Sequence, residues 1–123
     1  MGVVLRAVRG ATTLDADTED QVRERVGALV AAILERNGLR PDDLVSAVFS
    51  ATEDVRSAYP ATAARAVAGF TDVPLLGCRE MDVEGAMPRC IRVLVHCYTA
   101  RPRDEIQHVY LEGAASLRPD LVN

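Results

Sequence analysis

Helical periodicity occurs once at length in this chain. Val22, Val26, Leu29, Val30, Ile33 and Leu34 recur at three- and four-residue intervals, which places them on one stripe of a helix. Thr18 and Gln21 have capping-box spacing ahead of that run, and Gly38 supplies a stop after it. The polar side carries Glu19 before Arg23 and Gln21 before Arg25, each four residues apart, as on a solvated surface. One such helix can cover one face of a sheet. Any sheet built from the rest of the chain therefore needs a second cover from elsewhere.

The rest reads largely as strands. Val3 to Arg9 is rich in β-branched residues and is stopped by Gly10, with a polar loop from Ala11 to Asp17. Pro41, Asp42 and Asp43 turn into a second strand, Leu44 to Thr52, whose apolar sequence predicts burial on both faces. Pro60 to Ala68 is a short helix begun by proline and ended by Gly69. Val73 to Gly77 is a third strand. Ile91 to Thr99 is the clearest, with Ile91, Val93, Val95 and Cys97 on one face and Arg92, Leu94, His96 and Tyr98 on the other. After a turn at Pro102 and Asp104, Ile106 to Glu112 makes a fifth strand. The tail from Gly113 to Asn123 has no strong pattern and offers little to pack, which predicts a mobile segment. The order predicts an α/β (α+β) fold, a single mixed five-stranded sheet with one long and one short helix in one domain over residues 1–123. A homo-oligomer is the simplest cover for the second face.

Composition narrows the partners. The 123 residues carry a net charge of -4, with 49% hydrophobic and 26% charged residues, enough apolar material for a core. All 14 basic residues are Arg, most simply a codon bias. Without a dense basic run, nucleic acid is not the expected partner, whereas a few Arg converging locally could hold a small anion. Cys78, Cys90 and Cys97 are an odd set without Cys-x-x-Cys spacing or a signal peptide. They suggest buried, inert thiols in a reducing cytoplasm. No apolar run is long enough to span a bilayer, so no membrane role is expected.

The usual catalytic machinery is missing. There is no glycine-rich phosphate loop, nucleophile elbow or zinc-like spacing of His and Cys, so neither metal nor cofactor is expected. What remains is Arg9 at the end of the first strand, Arg92 inside the most apolar strand, Glu80 and Tyr110. Each could equally belong to a solvated strand face or a structural ion pair.

Four blocks carry a resemblance. Arg9-Gly10-Ala11-Thr12-Thr13, Glu80-Met81-Asp82-Val83 with Cys90-Ile91-Arg92-Val93, His108-Val109-Tyr110-Leu111-Glu112 and Leu117-Arg118-Pro119-Asp120-Leu121 together resemble the monofunctional, trimeric α/β class of chorismate mutase. They run in order at matching spacing over nearly the whole chain. The resemblance implies a homotrimer enclosing a barrel-like core, with sites at subunit interfaces. It also implies the rearrangement of chorismate to prephenate on the route to Phe and Tyr. A unimolecular pericyclic step needs no nucleophile, metal or cofactor. It needs fixed donors for the negative charge that grows on the breaking ether oxygen.

Residue by residue, the resemblance implies that Arg92 donates to the ether oxygen, that Arg9 and Tyr110 hold the side-chain carboxylate, and that Glu80 accepts from the ring hydroxyl. Arg65 matches a position that reaches a neighbouring subunit's site. Tyr59, Ala61 and Leu75 match an apolar wall, and Leu117 and Arg118 match a segment that closes over the ligand. The chain departs from the family where Thr62 replaces a frequent Lys, Gly77 a Cys and Tyr59 a Phe. Cys78 is not expected to stand in for the residue at 77, because strand neighbours point to opposite sides. Two other readings share features with the chain: a Rid-type imine or enamine deaminase, faintly suggested by Met87-Pro88-Arg89, and a non-catalytic trimer binding an aromatic-pathway dianion.

Overall fold

The structure, a computed structural model, describes residues 2–67 and 69–117. Its elements run β1 (Val4–Thr13), α1 (Glu19–Asn37), β2 (Leu44–Ala51), α2 (Pro60–Arg65), β3 (Leu75–Arg79), β4 (Cys90–Thr99) and β5 (Val109–Tyr110). Short 3-10 turns occupy Pro41–Asp43, Arg103–Glu105 and Glu112–Ser116. The sheet is mixed and five-stranded in the order β3-β2-β4-β1-β5. β4 is antiparallel to β1 and β2, while β3 runs parallel to β2 and β5 parallel to β1. The expected fold class is therefore observed.

Helix α1 supplies one cover. Val22, Val26, Leu29, Val30 and Ile33 are buried and pack with Val8, Phe49, Ile91, Val93, Val95 and Val109 of the sheet in one core. Thr18 caps the helix by accepting from Gln21 N, and Gly38 ends it at φ +60°. The capping box is only half formed, because the Gln21 side chain reaches back to the amides of Asp15 and Ala16 instead of Thr18. Glu19 and Arg23 form the expected surface pair at 2.8 Å. Arg25 does not lie on a solvated face. Its side chain is 11% exposed and binds Asp15 at 2.8 Å and the carbonyl of Thr13, tying α1 to the end of β1.

Several boundaries differ from the sequence-based expectation. β1 does not stop at Gly10 but continues to Thr13, so Arg9 lies inside the strand and Ala11–Thr13 are not loop. A Cβ at Gly10 would stand 2.8 Å from Ile33 Cδ1 and 3.1 Å from Leu29 Cδ1. The glycine lets helix and strand approach closely and does not terminate the strand. β2 is buried only at Ala47 and Phe49, on the side facing α1. β3 begins at Leu75, because Phe70–Val73 closes a turn and pairing with β2 starts only after the Pro74 carbonyl accepts Ala47 N.

The fifth strand shrinks to two residues. Upstream, the buried Asn37 side chain takes both backbone groups of Gln107, donating to its carbonyl and accepting its amide. Downstream, Glu112 adopts φ +53° and opens the 3-10 turn. That turn also corrects the expectation that Gly113–Ser116 offers little to pack. Ala114 is fully buried, and Gly113 N donates to Thr13 Oγ1 at 2.9 Å.

Candidate active site

Alternation divides the sheet into a face under α1 and an open face. On β4, Ile91, Val93, Val95 and Cys97 are buried beneath the helix, whereas Arg92, Leu94 and Tyr98 are exposed. Strand register then carries Arg92 into a row that crosses every strand. Cys78 pairs with Ser50, Ser50 with Arg92, Arg92 with Ala11, and Ala11 with Tyr110. Arg9 lies one step along the same face of β1, opposite Leu94.

Glu80 joins this row from just beyond β3. Its amide donates to the Ala51 carbonyl, extending the strand pairing by one bond. Its Oε2 accepts the Ser50 hydroxyl at 2.7 Å and lies 3.2 Å from Arg92 Nε. One oxygen of the carboxylate is thus engaged twice. An Arg has five N–H donors in a planar fork, and the Arg92 side chain also hydrogen-bonds Cys90. A serine in an apolar strand carries no motif, so Ser50 does not stand out in the sequence. Only its register opposite Arg92 reveals it.

Arg9 and Tyr110 share the open face of neighbouring strands. The Arg9 amide donates to His108 Nδ1 at 2.9 Å, and the imidazole extends a ladder that β5 is too short to complete. Leu111 N bonds the Ala11 carbonyl on the other side. Tyr110 is held against β1 from both ends.

The remaining expected site residues gather elsewhere. Tyr59, Ala61, Arg65 and Leu75 line a cleft of about 1470 Å³ at the β3 edge of the sheet, together with Thr62 and Gly77. Tyr59 is 79% exposed, so the described residues do not close a wall over its ring. Ser50 and Cys78 lie on both the row and the cleft lining. Leu117 follows the 3-10 turn, bonded through its amide to Ala114, and Arg118 lies outside the described residues. The structure thus places the expected site residues in two groups: Arg9, Glu80, Arg92 and Tyr110 on the open face, and Tyr59, Ala61, Arg65 and Leu75 around the cleft.

The thiols separate as well. Cys90 and Cys97 are buried, and burial pushes both thiols above their usual range; Arg92 opposes that shift at Cys90. Neither is a ready nucleophile. Cys78 is exposed, contrary to the expectation that all three are buried. It does project opposite to Gly77, as strand alternation required.

A family model for chorismate mutase type I matches residues 5–121. The chain belongs to the chorismate mutase type I family. It is 42% identical over 119 residues to chorismate mutase AroH of Bacillus subtilis, covering 97% of this chain and 94% of that one. It is 44% identical over 119 residues to chorismate mutase AroH of Thermus thermophilus, covering 96% and 97%. Among solved structures, a chorismate mutase from Clostridium thermocellum superposes with a TM-score of 0.87 at 40% identity, covering 90% of this chain and 98% of that one. Membership makes the chain an isomerase of aromatic biosynthesis and sets aside the deaminase reading.

Proposed function

We propose that the chain rearranges chorismate to prephenate in a site completed by a second copy of itself within a homotrimer. The observation that carries this reading is the doubly tethered Glu80 beside Arg92. The Glu80 carboxylate accepts the ring hydroxyl, while the Arg92 donors meet the ether oxygen as its charge grows. As the C–O bond breaks and the new C–C bond forms, the electrons move within the substrate and no proton changes hands. Fixed donors stabilise that charge best because they need not reorganise during the reaction. Arg9 and Tyr110 hold the side-chain carboxylate.

The need for a second copy follows from the two groups of site residues and from what the open face displays. Leu5 and Tyr98 face each other across β1 and β4, and they are 52% and 49% exposed, with Leu76 at 63%. Such an apolar patch on the same sheet face as the Arg92 row is a surface for association. Arg65, Tyr59, Ala61 and Leu75 then serve a neighbour's substrate. Leu117 and Arg118 are assigned to closing over it. Free thiols at Cys78, Cys90 and Cys97 support a cytoplasmic setting, and among the described residues no helix is long and apolar enough to cross a membrane.

Incubation with chorismate, following loss of its absorbance and identifying prephenate, tests the reaction. Light scattering tests the assembly. Binding without turnover would favour the non-catalytic reading, and a stable, active monomer would overturn the shared site.

A further inference from the structure

Arg79 is the last residue of β3 and lines the cleft at the sheet edge, and alternation puts it on the same side as Leu75 and Gly77. Its guanidinium lies 3.2 Å from the Glu53 carboxylate, with the two side chains 69% and 55% exposed. At Gly77 a Cβ would find nothing within 4 Å. The strand surface between Arg79 and Leu75 is therefore bare. Thr62, across the same cleft, brings no charge, whereas Arg65 and Arg56 line it from α2 and the preceding loop.

We propose that Arg79 is a substrate-binding residue of this chain, which leaves Glu53 to take a carboxylate of the dianionic substrate in the cleft. The inference rests on the reading that this cleft forms part of the mutase site. An ion pair this exposed is weakly held, so one carboxylate can displace another at little cost. The space over Gly77 gives the long side chain room to swing toward Arg65. Glu53 acts as an internal competitor for the guanidinium and thereby sets how readily the anion is captured.

Kinetics on the purified enzyme test this with two variants that move in opposite directions. Arg79→Ala is expected to raise KM for chorismate about tenfold with kcat within about twofold, the loss of one charge-assisted contact in the bound ground state. Arg79→Lys recovers part of that loss. Glu53→Ala is expected to lower KM below wild type, because the competitor is gone. An unchanged KM in Arg79→Ala, or a KM that rises in Glu53→Ala, would reduce the pair to a surface ion bridge and overturn the proposal. Arg92→Ala serves as the control. If it keeps full turnover, the site reading itself fails. If its turnover collapses while Arg79→Ala binds normally, only the role of Arg79 falls.

Discussion

Nε of Arg92 and the Ser50 hydroxyl converge on the same oxygen of Glu80, at 3.2 Å and 2.7 Å. Ser50 and Arg92 are direct partners in the β2–β4 register, so this meeting is fixed by backbone pairing and not by flexible side chains alone. The carboxylate orients the guanidinium, and the serine orients the carboxylate.

Arg92→Ala is expected to leave a folded protein whose turnover falls by a factor of about 100 to 1,000, the usual effect of removing one fixed donor to developing charge. As a mere exposed ion pair, Arg92 would contribute about 1 kcal/mol of stability or less. Arg92→Lys is expected to restore little, because a mobile ammonium does not reproduce a planar fork already anchored at Nε. Steady-state kinetics beside a urea titration separate the two roles, and near-normal turnover in Arg92→Ala rejects the mechanism.

Ser50→Ala removes one of the two tethers on Glu80. A hydrogen bond to a charged group contributes about 1.5–3 kcal/mol, so kcat/KM is expected to fall by about tenfold or more. Ser50→Thr retains the hydroxyl and is expected to recover most of the loss. If Ser50→Ala matches wild type, Glu80 is held adequately by Arg92 alone.

Gly10→Ala tests the close approach of helix and sheet. The added methyl would stand 2.8 Å from Ile33 Cδ1 and 3.1 Å from both Leu29 Cδ1 and Val93 Cγ1. Overpacking of this kind costs about 1–3 kcal/mol. The expected result is a lower denaturation midpoint. Full stability would show that the Ile33 and Leu29 side chains can give way without cost.

Asp17 links stability to acid. Although burial opposes it, hydrogen bonds from the Ser57 hydroxyl and the amides of Arg56 and Ser57, together with the Arg56 charge, hold its carboxyl below the ordinary value. A group with a lowered folded pKa contributes stability that is present above its unfolded pKa, about 3.9, and is lost as pH falls through the folded value. Wild type and Asp17→Ala are therefore expected to differ most near neutral pH and to converge in strong acid, as measured by denaturation at several pH values. A stability difference independent of pH would show that the carboxylate charge contributes nothing.

How much of this was legible in the sequence depended on how local the cause was. Helical spacing from Val22 to Leu34, the Thr18 cap and the Gly38 stop are near-neighbour properties, and all three are found in the structure. Alternation along Ile91–Thr99 likewise placed Arg92 opposite the core from sequence alone. The four blocks around Arg9, Glu80 with Arg92, Tyr110 and Leu117 carried the resemblance to the family whose model matches residues 5–121. Tertiary structure decided everything that depends on which distant segment lies alongside. Gly10 has the same sequence signature as a strand stop, and only the approach of Ile33 makes it a point of contact. Arg25 has helix-surface spacing, yet the end of β1 takes it out of solvent. Ser50 meets Arg92 through a register that joins residues 42 positions apart. The separation of the expected site residues into two groups belongs to the sheet, because strand pairing, set by long-range burial, determines which side chains share a face.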